Sequence, residues 1–166
     1  MIQPHADAQP LAVHCAVLTA SDSRTVETDR SGQLIQQLLQ DHQHVVQDYR
    51  LLPDRAVAIA ALVQQWCNQP EIDAVILNGG TGIAPRDTTY DAIEQLIQTP
   101  IPGFGELFRW LSFQDIGSRA IASRAIAGVR NATLIFSLPG SSNAVRLGME
   151  SLILPELMHL TRQMQG

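Results

Sequence analysis

Gly79, Gly80, Thr81 and Gly82 stand in succession after an apolar run, and Asp87 follows closely. Glycines in such a turn let backbone amides approach an anion in conformations that a side chain forbids, and Thr81 adds a hydroxyl donor. On spacing alone this is often only a tight strand-to-helix connection, and an Asp in the place of Asp87 commonly caps the next helix. A second carboxylate, Asp54, holds the same position after the preceding strand. Parallel topology would bring both to one rim, where they could hold Mg²⁺ between phosphate oxygens. Ser141 and Ser142, after Pro139 and Gly140, open a helix whose free N–H groups suit a phosphate, although an ordinary N-cap explains them too. Ser21 and Asp22 close the first apolar run and point to the same rim, with a simple turn as the plainer reading.

Composition removes several alternatives. The formal net charge is −5 and no basic run could neutralise several phosphates of a nucleic acid, so none is expected as a partner. All 11 cationic side chains are Arg, which excludes a P-loop lysine, a Schiff base and an amine nucleophile. Cys15 and Cys67 sit in apolar surroundings and read as buried thiols, not as a disulfide framework. His5, His14, His42, His44 and His159 show no metal-ligand spacing with them. Neither a Gly-x-Ser-x-Gly elbow nor a Gly-x-Gly-x-x-Gly fingerprint is present. The first residues lack the features of a signal peptide, and no apolar stretch approaches the ~20 residues of a membrane span. A cytoplasmic location without membrane attachment is expected.

The elements that must position these residues follow from periodicity. Residues 1–10 are polar with two prolines and suit a flexible tail; residues 11–166 suit one domain, able to bury roughly 70% of its unfolded surface. An apolar run over 11–20 predicts a buried strand, and Ser31 can cap a helix through about 42. Strands are predicted at 45–52 and 73–77, with a helix between them that Asp54 can cap. A helix at 88–97, a Pro/Gly break at 100–103 and an aromatic-rich helix at 104–113 follow. The aromatics read as core or subunit contact. Residues 125–129 and 132–138 form a hairpin-like pair, and a last helix runs to about 163 with a kink at Pro155. The βαβαβ order predicts a parallel sheet with right-handed crossovers and a ligand site beyond the carboxyl ends of the strands.

Six segments carry a family resemblance: LTASDSR at 18–24, LLPD at 51–54, NGGTGIAPRDTTYDAI at 78–93, PGFGELFR at 102–109, SRAIAG at 123–128 and LPGSSNAV at 138–145. Over residues 11–160 the chain resembles the MoaB/MogA family of molybdenum cofactor biosynthesis, and the MoaB branch more than MogA. The resemblance implies a three-layer α/β/α fold with a mostly parallel sheet. It also implies a molybdopterin adenylyltransferase, in which ATP gives AMP to the terminal phosphate of molybdopterin with the help of Mg²⁺. In that family the aspartates matching Asp54 and Asp87 are the essential carboxylates. Ser21, Asp22, the loop from Gly79 to Gly82, Ser123 with Arg124, and the Pro139, Gly140, Ser141, Ser142 segment would line the pterin and nucleotide site. Ser137 departs from the pattern, because many members have Asn there. A homo-oligomer, trimeric or hexameric, and other proteins of the pathway are the implied partners. Some MoaB-branch members have lost the aspartates, whereas this chain keeps both. The competing expectation is a non-catalytic molybdopterin carrier or scaffold.

Overall fold

The computed structural model describes residues 10–166, so the expected tail, apart from Pro10, lies outside the described residues. Strand β1 (His14–Ala20) is buried along nearly its whole length. Alternation sends Cys15 and Val17 into one helical layer and Ala16 and Leu18 into the other. Helix α1 (Arg30–Asp41), β2 (Val45–Leu52), α2 (Ala56–Cys67), β3 (Ala74–Asn78) and α3 (Thr89–Leu96) follow in βα alternation. Then come β4 (Thr99–Pro100), α4 (Pro102–Ile116), a 3₁₀ turn (Gly117–Ala122), β5 (Ile126–Arg130), β6 (Thr133–Leu138), α5 (Ser142–Gly148) and α6 (Leu154–Gln165).

The six strands form one sheet in the order β2-β1-β3-β6-β5-β4. The first four are parallel, while β5 and β4 run antiparallel to their neighbours. Ile35, Leu39, Phe108, Val145 and Leu157 from α1, α4, α5 and α6 cover one face. Ile59, Val63, Trp66 and Ile93 from α2 and α3 cover the other. This is the expected three-layer α/β/α arrangement with a mostly parallel sheet. Among the described residues no helix is long and apolar enough to cross a membrane.

Local choices differ from the sequence expectation at several points. Helix α1 is capped by Asp29, whose Oδ1 accepts the Gly32 N–H at 3.0 Å, and not by Ser31. Ser31 instead donates to the Gly140 carbonyl at 2.8 Å. Helix α2 starts without a side-chain cap, because the Asp54 carboxylate turns towards α3. Helix α4 begins at Pro102 and runs on to Ile116, beyond the aromatic cluster, and ends at Gly117 with φ 65°.

The β5–β6 hairpin turns on Asn131 and Ala132, with φ 53° and 114°. A two-residue connection needs positive φ at both positions, which Asn tolerates and a Cβ on the second residue opposes. Ala132→Gly therefore relieves strain at an exposed site. It is expected to stabilise the protein by about 1 kcal/mol and to raise Tm by about 2–4 °C in a thermal melt.

The last helical stretch is interrupted by a π turn at Met149–Ile153, where the Leu154 N–H bonds back to the Met149 carbonyl. It lies in the turn just before Pro155, whose ring would clash with the Ser151 carbonyl in a regular α-helix and which has no N–H to give. The expected kink is thus a widened turn that lets the helix continue.

Candidate substrate-binding site at the carboxyl ends of the strands

The loop after β3 is built on close backbone approach. The Gly79 N–H donates to the Leu138 carbonyl at 3.0 Å, tying β3 to the end of β6. Gly79 and Gly80 have φ of 96° and 64°. A Cβ on Gly79 would strike the Ala20 carbonyl oxygen, and one on Gly80 would strike Thr89 Oγ1 and Asp54 Oδ2.

Arg124 holds this loop from the segment just before β5. Its guanidinium donates to the carbonyls of Thr81 at 3.1 Å, Gly82 at 2.6 Å and Asp87 at 3.4 Å. It also pairs with Asp91 at 3.2 Å and lies 4.6 Å above the Tyr90 ring centre. The carbonyls of Thr81 and Gly82 are occupied in this way. The amides of Gly80, Thr81 and Gly82, by contrast, donate to no group among the described residues. Unused, closely spaced donors of this kind form an anion cradle.

The two aspartates do different things. Asp87 lines the cleft; its Oδ2 accepts the Ala84 N–H at 3.0 Å, and its Oδ1 has no partner among the described residues. Asp54 Oδ1 accepts the Thr88 N–H at 3.2 Å and the hydroxyls of Thr88 and Thr89 at 2.9 and 3.0 Å. Asp54 thus fixes the start of α3 from a different loop, the task that the plainer sequence reading gave to Asp87. Its own N–H is held by Asp22 Oδ1 at 3.1 Å, while Ser21 Oγ accepts the Ser23 and Arg24 amides. Asp22 thus ties the loop after β1 to the one that carries Asp54, and Ser21 orders its own turn.

A cleft of about 380 Å³ opens beside the glycine loop. Its other walls are Phe108, Ser112 and Ile116 of α4, Arg119 and Ala122 of the 3₁₀ turn with Ser123 directly after it, and Pro139, Gly140 and Ser141 after β6. Ser123 Oγ is buried without a partner. Ser141 caps α5 through the Ala144 N–H at 3.2 Å, and Ser142 Oγ lies 3.3 Å from Ser31 Oγ. The Gly140 carbonyl accepts from Arg24 at 2.8 Å as well as from Ser31. Ser137 does not reach the cleft: it is fully buried on the α2/α3 face of β6, its hydroxyl unpartnered. A larger hollow of about 580 Å³ between α4 and α5 lacks such a loop, and its Arg146 and Glu150 pair with each other at 2.7 Å.

A family model described as a probable molybdopterin-binding domain matches residues 16–159. The chain belongs to the MoaB/MogA family of molybdenum cofactor biosynthesis proteins. Two relatives named molybdenum cofactor biosynthesis protein B lie close to this family member. That of Halalkalibacterium halodurans is 49% identical over 163 residues, covering 98% of this chain and 96% of its own. That of Bacillus subtilis is 48% identical over 165 residues, covering 99% and 97%. A crystal structure of a molybdenum cofactor biosynthesis protein B superposes with TM-score 0.92 at 47% identity, covering 95% of this chain and 98% of that one. The tungsten cofactor synthesizing protein MoaB of Pyrococcus furiosus superposes with TM-score 0.83 at 32% identity, covering 95% and 100%.

In this MoaB/MogA family member the rim expected from the sequence gathers the glycine loop, Asp87, Ser123 and the Pro139–Ser141 segment around one cleft. Asp54, Asp22, Ser21 and Arg124 stand behind it as supports. Phe108 reads in the sequence as one of the core or contact aromatics, and no motif marks Ser112 or Arg119. The signal that was there is Gly117, which ends α4 and aims the following turn at the cleft.

A buried polar set also lay hidden. Asp29 accepts the Tyr49 hydroxyl at 2.6 Å and pairs with Arg24 at 3.4 Å. Burial first, and then the Asp29 carboxylate, push the Tyr49 phenol up, which keeps it a hydrogen-bond donor.

Proposed function

We propose that the protein transfers AMP from ATP to the terminal phosphate of molybdopterin. An oxygen of the terminal phosphate attacks the α-phosphorus of ATP, and the bond to the bridging oxygen breaks to release pyrophosphate. The observation that carries this reading is the set of unused amides at Gly80, Thr81 and Gly82 beside the free carboxylate oxygen of Asp87. Such amides, fixed before the ligand arrives, favour charge developing on phosphoryl oxygens.

Mg²⁺ commonly takes one or two carboxylates and completes its shell with phosphate oxygens and water. Asp87 Oδ1, in the cleft wall and without a donor among the described residues, fits that role and would hold it, with Asp54 Oδ2, likewise without a donor there, as a second carboxylate behind the loop. The ion would supply charge neutralisation between the phosphates. The chain's own work is to bind and orient: Arg124 fixes the loop, Asp54 fixes α3, and the Phe108 side of the cleft keeps water from part of the ligand.

The reading includes a cytoplasmic location, exchange with other proteins of the pathway, and a homo-oligomer, trimeric or hexameric. The exposed Leu107, Trp110 and Phe113 of α4 support the last point. A second reading, a non-catalytic carrier or scaffold, draws support from the structural use of Asp54, whose three bound donors anchor α3 whether or not chemistry follows.

Purified protein incubated with molybdopterin, ATP and Mg²⁺ is expected to form adenylylated pterin and pyrophosphate, measured by chromatography. Pterin binding without product would leave the carrier reading; binding of neither ligand would remove both.

A further inference from the structure

The cleft is short of positive charge. Its wall carries the Asp87 carboxylate, the ligands of the proposed reaction are anions, and the sequence has no Lys. Two arginines nearby are committed to the protein itself. Arg124 serves the loop carbonyls and Asp91, and Arg24 serves the Gly140 carbonyl and Asp29. Among the described residues lining the cleft Arg119 is the only cation, and it makes no hydrogen bond or ion pair to any described residue.

Its placement follows from the backbone. Gly117, at φ 65°, ends α4 and turns the chain into the 3₁₀ turn. Three residues per turn put Arg119 and Ala122 on one side, and both line the cleft. Ser123, directly after that turn, presents a buried hydroxyl with no partner. An unpaired guanidinium and an unpaired hydroxyl thus share one wall, and the free amides of the glycine loop belong to another.

We propose that Arg119 is the phosphate-recognition residue of this cleft, binding a phosphate group from the α4 side while the loop amides bind from the β3 side. The proposal rests on the reading of the site given above. A planar fork of donors suits phosphate in a bidentate pair, which a lysine cannot reproduce. The phosphate can belong to the nucleotide or to the pterin, and the two are separated by titrating each alone.

Calorimetric titrations of wild type, Arg119→Gln and Arg119→Lys with Mg²⁺-ATP, and separately with molybdopterin, test this. Arg119→Gln is expected to lose roughly ten- to a hundredfold in affinity for one of the two ligands, with Tm unchanged. Arg119→Lys recovers part of the loss, and the difference from wild type shrinks as salt is raised. The ligand that loses affinity identifies the phosphate. Equal affinity of Arg119→Gln and wild type for both ligands overturns the proposal, as does a loss that Arg119→Lys fails to recover at all. Wild type binding neither ligand overturns the function proposed above, a failure visible before any substitution is made.

Discussion

Asp87→Asn is expected to slow AMP transfer by about two to three orders of magnitude while leaving the fold intact. The two oxygens of Asp87 have separate duties. One accepts the Ala84 N–H at 3.0 Å, and an amide oxygen can continue to do so. The other has no donor among the described residues and contributes only its share of the negative charge. Asn removes the charge and keeps the loop. Single-turnover rates at saturating ATP and Mg²⁺, with a thermal melt as control, check the expectation; an unchanged rate would show that this carboxylate takes no part in the chemistry. Asp54 offers no such separation. Its Oδ1 anchors three donors at the start of α3, so removing it disturbs structure and charge together.

Gly79→Ala is expected to destabilise the protein by about 3 kcal/mol or more, and so to lower Tm by about 10 °C. Ligand binding is lost with it. Gly79 combines φ of 96° with a Cβ position that runs into the Ala20 carbonyl oxygen. That oxygen belongs to the last residue of a buried strand, so it cannot move aside as a flexible side chain would. Gly103→Ala is the control, since a Cβ there meets nothing within 4 Å. A melt of both variants, with ligand titration, gives the comparison. Equal stability of the two would mean that the loop after β3 relaxes freely.

The sequence discloses elements best where an apolar segment meets a clear stop, as at Pro53 after β2 and at the glycines after β3. Strand β2 keeps the bounds 45–52 read from it, and β3 shifts by a single residue. Cap choice was hidden because it depends on distant partners. Asp29 wins over Ser31 through Tyr49 and Arg24, and Asp54 serves a helix whose first residues lie 34 and 35 positions away. Strand β4 has two residues and exists through its pairing with β5, which local composition cannot announce. The glycine loop and Asp87 could be read only as a candidate, since a tight strand-to-helix turn and a helix cap use the same residues; the structure places both beside one cleft. Arg124 was promoted only by family resemblance, since an Arg in such a segment normally faces solvent. Its acceptors are carbonyls 42 and 43 residues away. Arg119 had no motif at all to mark it.

The π turn before Pro155 sets the phase of the last helix. One extra residue in a turn rotates everything after it by about 100° about the axis. With that offset Leu154, Leu157 and Thr161 face inward in line with Val145 and Met149. Without it Pro155 and Glu156 would point at the sheet, and the apolar row begun beside the cleft would come out on the solvent side.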